Sequence, residues 1–95
     1  MTRITSQNLL KHELIGLAVR VVNSAHPGYV GISGMVINET KNMLLILHEG
    51  KPKSVPKKPS VFQFSLPDGA LVEVGGVEIA MRPEDRIEKA AWRKS

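Results

Sequence analysis

The residues able to do acid–base or metal chemistry in this chain are few and scattered. His12-Glu13 and His48-Glu49 each set an imidazole beside a carboxylate. Neither pair is followed by the second histidine, one helical turn on, that a zinc hydrolase helix requires, and neighbours on a strand point to opposite faces. His26 stands in a turn-forming His-Pro-Gly. A nuclease built on His12 and His48 would need both rings to converge on one phosphate. That rival stays open and predicts cleavage by the protein alone. The acids form no cluster for a metal pair: Asp68 lies in a turn, Glu84 and Asp85 at a helix start, and Glu73 and Glu78 flank a hairpin. The absence of cysteine removes disulfides, thiolate zinc sites and a thiol nucleophile. Gly28, Gly31 and Gly34 recur at intervals of three, which is not the dinucleotide-binding fingerprint.

Chemistry of another kind is concentrated at 50–60, which reads Gly-Lys-Pro-Lys-Ser-Val-Pro-Lys-Lys-Pro-Ser, with four lysines, three prolines and no acid. Lysines resist burial and prolines cannot donate to a ladder, so the segment is expected to form a solvated loop. Such a loop suits a polyanion, since each lysine can neutralise a phosphate and release its counterion. It also suits a linker that merely keeps the protein soluble. The formal net charge of +4, from 13 Lys plus Arg against 9 Asp plus Glu, permits nucleic-acid binding without proving it. Tyr29, Phe62, Phe64 and Trp92 are the only aromatics, and both phenylalanines fall on the dry face of their strand. A platform for unstacked bases is therefore missing from this reading, which favours recognition of folded RNA through phosphate and ribose.

The elements that must position these groups follow from hydrophobic period. The 95 residues make one domain, with helical ends at 5–14 and 83–94 around a barrel at about 16–82. Leu10 and Leu14 lie one turn apart behind a Thr5 or Ser6 cap, and Pro83, Glu84 and Asp85 open the second helix, whose apolar stripe is Ile87 and Ala91. Trp92, off that stripe, either folds back on the barrel or anchors an interface. Strands are expected at 17–22, 32–39, 43–48, 62–66, 70–74 and 77–81, with the third buried on both faces. Thr40-Lys41-Asn42 and Pro67-Asp68-Gly69 supply turns, and Gly75-Gly76 suits a two-residue hairpin turn. Six short strands without intervening helices indicate an all-β fold, a small six-stranded antiparallel barrel. No run approaches a membrane span or an export signal, so a cytoplasmic protein that does not enter membranes is expected.

Five strings in order, His12-Glu13-Leu14-Ile15-Gly16, Gly31-Ile32-Ser33-Gly34-Met35-Val36-Ile37-Asn38-Glu39-Thr40-Lys41-Asn42-Met43-Leu44, Phe62-Gln63-Phe64, Leu66-Pro67-Asp68-Gly69 and Arg82-Pro83-Glu84-Asp85-Arg86, resemble the archaeal ribonuclease P protein component 1 family, counterpart of the eukaryotic Pop4 subunit. The resemblance runs from about Leu9 to Arg86 and includes the basic segment between the third and fourth expected strands. It implies an Sm-like barrel acting as a protein subunit of the ribonucleoprotein that removes 5′ leaders from precursor tRNA. Catalysis there belongs to the RNA and its magnesium ions, and the protein binds no cofactor of its own. It further implies pairing with a zinc-ribbon subunit, ribonuclease P component 4, and joint docking on the specificity domain of the ribonuclease P RNA, with precursor tRNA met only indirectly.

Carried onto this chain, the resemblance implies RNA contacts at Lys41 and Asn42, in the matching Glu-Thr-Lys-Asn turn, and at Arg82 and Arg86, with Arg82 reaching either RNA or the partner and Asp85 either holding Arg86 or capping the helix. Asn42 has a second reading as a residue that tolerates a left-handed turn. Lys51, Lys53, Lys57 and Lys58 are carried over as basic character alone, and Lys11 and Arg20 join them if the barrel presents one basic side. Leu10, Leu14, Ile87, Ala91 and Trp92 are the implied partner-binding residues. A ribosomal or chromatin protein on the same small barrel is the alternative binding module.

Overall fold

Phe62 and Phe64 face inward from one strand while Gln63 between them does not, and this alternation recurs around the molecule. The structure, a computed structural model, describes residues 14–81. Six strands form one antiparallel sheet: β1 (Ala18–Ser24), β2 (Ser33–Glu39), β3 (Met43–His48), β4 (Lys51–Pro56), β5 (Ser60–Ser65) and β6 (Leu71–Gly75). Their order is β4-β3-β2-β1-β5-β6, so β1 and β2 occupy the centre. Single 3-10 turns stand at Pro27–Tyr29 and Gly76–Ile79. The all-β expectation holds.

Two irregularities bend the sheet. Between Val21 and Asn23, β1 slips against β5, and between Val36 and Asn38, β2 slips against β3. Each inserts one residue, increasing local twist and reversing which face the following side chains occupy. The concave face is lined by Val19, Val21, Val36, Leu44, Ile46, Val55, Phe62, Phe64 and Val74, closed by Leu14, Leu17, Leu66 and Ile79, all buried. On the convex face, pairing aligns Pro52, Leu47, Met35, Ala18, Ser65 and Leu71 in one row across all six strands, every member exposed. The expectation that β3 is buried on both faces is therefore corrected: Leu44 and Ile46 are enclosed, but Leu47 is 40% exposed.

The 50–60 segment is not a loop throughout, because Lys51–Pro56 pairs with the whole of β3. Pro52 and Pro56 share a parity, so both can stand where a strand N–H points away from its neighbour. At an edge that costs no ladder bond. The expected strand at 77–81 is instead the 3-10 turn, with Gly75 extended at φ −70° rather than in a hairpin turn. Glu78 Oε2 accepts the Gly75 N–H at 3.1 Å. A Cβ on Gly76 would run into the Lys57 carbonyl, so this turn lies directly on the β4–β5 link. It brings the two edges near each other although no ladder joins β4 to β6. The Pro67-Asp68-Gly69 turn is as expected, Leu66 and Ala70 bonding across it at 2.9 Å and Gly69 at φ 90°.

The expected helices fall outside the described residues, apart from Leu14, which is fully buried in the core and so is withdrawn from the partner-facing set. No described helix is long and apolar enough to cross a membrane.

Candidate nucleic-acid interface

The β2–β3 connection is Thr40-Lys41-Asn42, closed by Thr40 N–H to the Met43 carbonyl at 3.0 Å and by Met43 N–H to Thr40 Oγ1 at 3.2 Å. Lys41 and Asn42 are exposed at its tip. Glu49 is the only non-glycine with positive φ among the described residues, so Asn42 is not held there by left-handed tolerance. Its carbonyl accepts the Lys57 N–H at 2.8 Å, which draws the β4–β5 link against this turn and sets exposed Lys58 beside it. Lys41, Asn42 and Lys58 thus gather at one end of the sheet.

Lys57 lies at the same end but is not available to a ligand. Its side chain is fully enclosed, donating to Glu39 Oε2 at 2.8 Å, to the Thr40 carbonyl at 2.6 Å and to the Met81 carbonyl at 3.3 Å. Three donors meet three oxygens, which is what makes burial of an ammonium tolerable. The expectation that Lys57 contacts RNA is corrected on that ground. The cause lies in β2: beyond the bulge Glu39 registers with buried Leu44, so its carboxylate enters the core and requires a cation there.

Lys51 and Lys53 are exposed at the other end of the β3–β4 hairpin, opposite His48 and Ile46. Five residues of strand, about 17 Å, separate the two ends. Arg20 is exposed on the convex face of β1, between Ser33 and Gln63. Among the described residues the exposed cations are therefore split among two ends and one face, not gathered on one basic side. Lys11, Arg82, Arg86, Leu10, Ile87, Ala91 and Trp92 lie outside the described residues, as does His12. Among the described residues no three His, Asp or Glu side chains converge on a point where a metal ion could sit.

Near Lys51 and Lys53, sequence reasoning missed Tyr29 and read His48 only as half of the rival nuclease pair. Tyr29, half-buried at the end of the first 3-10 turn, meets His26 edge to face with centroids 6.0 Å apart and planes at 82°. His48 Nδ1 lies 2.8 Å from the Ser33 carbonyl and 3.1 Å from its N–H, and either bond holds the ring in place. The aromatic stands in a His-Pro-Gly-Tyr turn, on neither alternating face, so no strand pattern points to it.

The sequence model for ribonuclease P/MRP, subunit p29, matches residues 7–89. This chain belongs to that family. Ribonuclease P protein component 1 of Pyrococcus furiosus is 52% identical over 92 residues, spanning 97% of this chain and 72% of the relative. Its counterpart in Methanothermobacter thermautotrophicus is 48% identical over 87 residues, spanning 90% of this chain and 94% of the relative. A solved structure described as Mth11, a homologue of human RNase P protein Rpp29, superimposes with a TM-score of 0.60 at 49% identity, over 80% of this chain and 99% of that one. The chain is thus a ribonuclease P protein subunit by family, and its six-stranded sheet shares the fold of the Mth11 structure.

Proposed function

We propose that this chain is an RNA-binding, non-catalytic subunit of ribonuclease P, the archaeal counterpart of eukaryotic Pop4, acting in the cytoplasm. The observation that carries this reading is the end of the sheet where Lys41, Asn42 and Lys58 stand exposed on a base locked by Lys57. Cations and an amide on a rigid scaffold meet phosphate and ribose with little ordering cost. Arg82 and Arg86 extend this interface in the proposal, and Arg20 contributes from the convex face. The magnesium of the reaction is assigned to the RNA.

The exposed row through Met35 and Leu47, 51% and 40% accessible, supports work inside an assembly, since contiguous apolar surface of this kind is ordinarily covered by a partner. The proposed companion is the zinc-ribbon subunit, component 4, with both docked on the specificity domain of the RNA and precursor tRNA met indirectly.

The test compares binding to ribonuclease P RNA with binding to duplex DNA of equal charge, then reconstitutes precursor tRNA cleavage with and without this chain. Preference for the RNA, and a faster reaction at lower magnesium when the chain is present, are expected. Equal binding to both polyanions, or cleavage by the purified protein alone, overturns the proposal.

A further inference from the structure

Past Ile46 the concave face stops being dry and opens into a cleft of about 610 Å³ between the β3–β4 hairpin and the first 3-10 turn. Its walls are Tyr29, Ile32, His48, Lys51 and Lys53, with Glu49 at the lip. Tyr29 and Ile32, which pack against the core, give it an apolar and aromatic floor. Lys51 and Lys53, two apart on an edge strand, stand about 6–7 Å from each other on one face. His48 is fixed through Nδ1 to Ser33, with Nε2 3.4 Å from a Glu49 carboxylate that is 85% exposed. Two lysines against one largely solvated carboxylate leave the cleft cationic.

From this geometry we infer that the cleft takes a single unpaired nucleotide of RNA, its base against Tyr29 and Ile32 and its phosphate between Lys51 and Lys53. The volume lies within the range of small-molecule sites, of order 300–1,000 Å³, room for a nucleotide rather than for a stretch of duplex. A bare phosphate would leave the aromatic floor unmatched, and an apolar ligand would leave both ammonium groups without a counter-charge. Base and phosphate together satisfy the two halves of the wall, the combination by which unstacked bases are held elsewhere. Tyr29 supplies the platform that the aromatic content of the sequence did not reveal. The inference rests on the RNA-binding reading above and adds a site at the opposite end of the hairpin from Lys41. One extruded nucleotide there would fix the register of the protein on its RNA.

The experiment uses the full chain with three probes: an RNA hairpin with one bulged uridine, the same hairpin fully paired, and pentauridylate. Amide signals of Tyr29, Ile32 and Lys53 should shift with pentauridylate and with the bulged hairpin but not with the paired one. Tyr29→Ala should weaken the bulged hairpin about tenfold, in keeping with loss of one stacked base, and leave the paired one within about twofold. Lys53→Gln, at an exposed edge position, gives a second readout if the Tyr29 variant does not fold, and should lower the same preference. Equal binding of both hairpins with no shift at Tyr29 and Ile32, while ribonuclease P RNA still binds, overturns the nucleotide site and leaves the interface standing. Failure to bind any RNA overturns both.

Discussion

Replacing Lys57 by methionine removes the ammonium from a carboxylate with which it shares complete enclosure. Breaking a buried ion pair by deleting one partner costs about 3–5 kcal/mol, because the remaining charge keeps its desolvation penalty and loses its attraction. Unfolding entropy of about 2.1 cal/mol/K per residue gives roughly 0.2 kcal/mol/K for a chain of this size, so the variant should melt about 15–25 °C lower. Against a typical total of about 5–15 kcal/mol, that is a large share of the stability. The Thr40 and Met81 carbonyls lose the same donor, so the loss should spread from the β2–β3 turn to the end of the second 3-10 turn. Thermal and urea unfolding followed by circular dichroism measure it. Lys58→Met, at the exposed neighbouring position, is the control and should move stability by no more than about 0.5 kcal/mol. The double variant Glu39→Leu with Lys57→Met should recover most of the loss, since an apolar pair of similar volume removes both charges together. A single Lys57→Met variant within about 1 kcal/mol of the parent would refute the reasoning.

The other tests concern packing and charge. Gly76→Ala drives a Cβ into the Lys57 carbonyl and Gly34→Ala into that of Leu47, so each should cost about 3 kcal/mol or more, whereas Gly28→Ala, with open space around it, should be nearly neutral by urea titration. The pair Lys53→Gln and Lys58→Gln should flatten the log–log salt dependence of RNA affinity by about two units, one for each phosphate left without its lysine. A slope unchanged within error would remove both lysines from the interface. Reconstitution lacking the chain should need more magnesium for precursor tRNA cleavage, as measured by initial rates.

Local signals in the sequence carried far where they were unambiguous. Phe62-Gln63-Phe64 announced its dry and wet faces, Pro67-Asp68-Gly69 its turn, and Thr40-Lys41-Asn42 its hairpin tip. The lysine-rich segment misled because its composition argues for solvent while an edge strand accepts both prolines and exposed lysines at no cost. Glu39 and Lys57 were illegible for a different reason. Strict alternation sends Glu39 outward, and only the extra residue in β2 reverses it, a slip that depends on the pairing with β3 and has no local code. The last 3-10 turn replaced a strand because Gly76 must meet the backbone of a segment distant in sequence. The exposure of Lys41, Asn42 and Lys58 was readable from their turns. The joining of Tyr29 with His48 was not, since the cleft exists only once β4 lies against the first 3-10 turn.

The order of the strands bears on how the protein is made. Strand β1 leaves the ribosome first, yet its Ala18 pairs with Ser65, so one flank of the sheet's central strand stays vacant until β5 has been synthesised. At about 5–20 residues per second that interval lasts seconds, far longer than a hairpin such as β2–β3 needs to form. The β1 edge that receives β5 therefore stays unpaired for longer than the β2–β3 hairpin takes to form, an interval in which an open strand edge is exposed to wrong pairing.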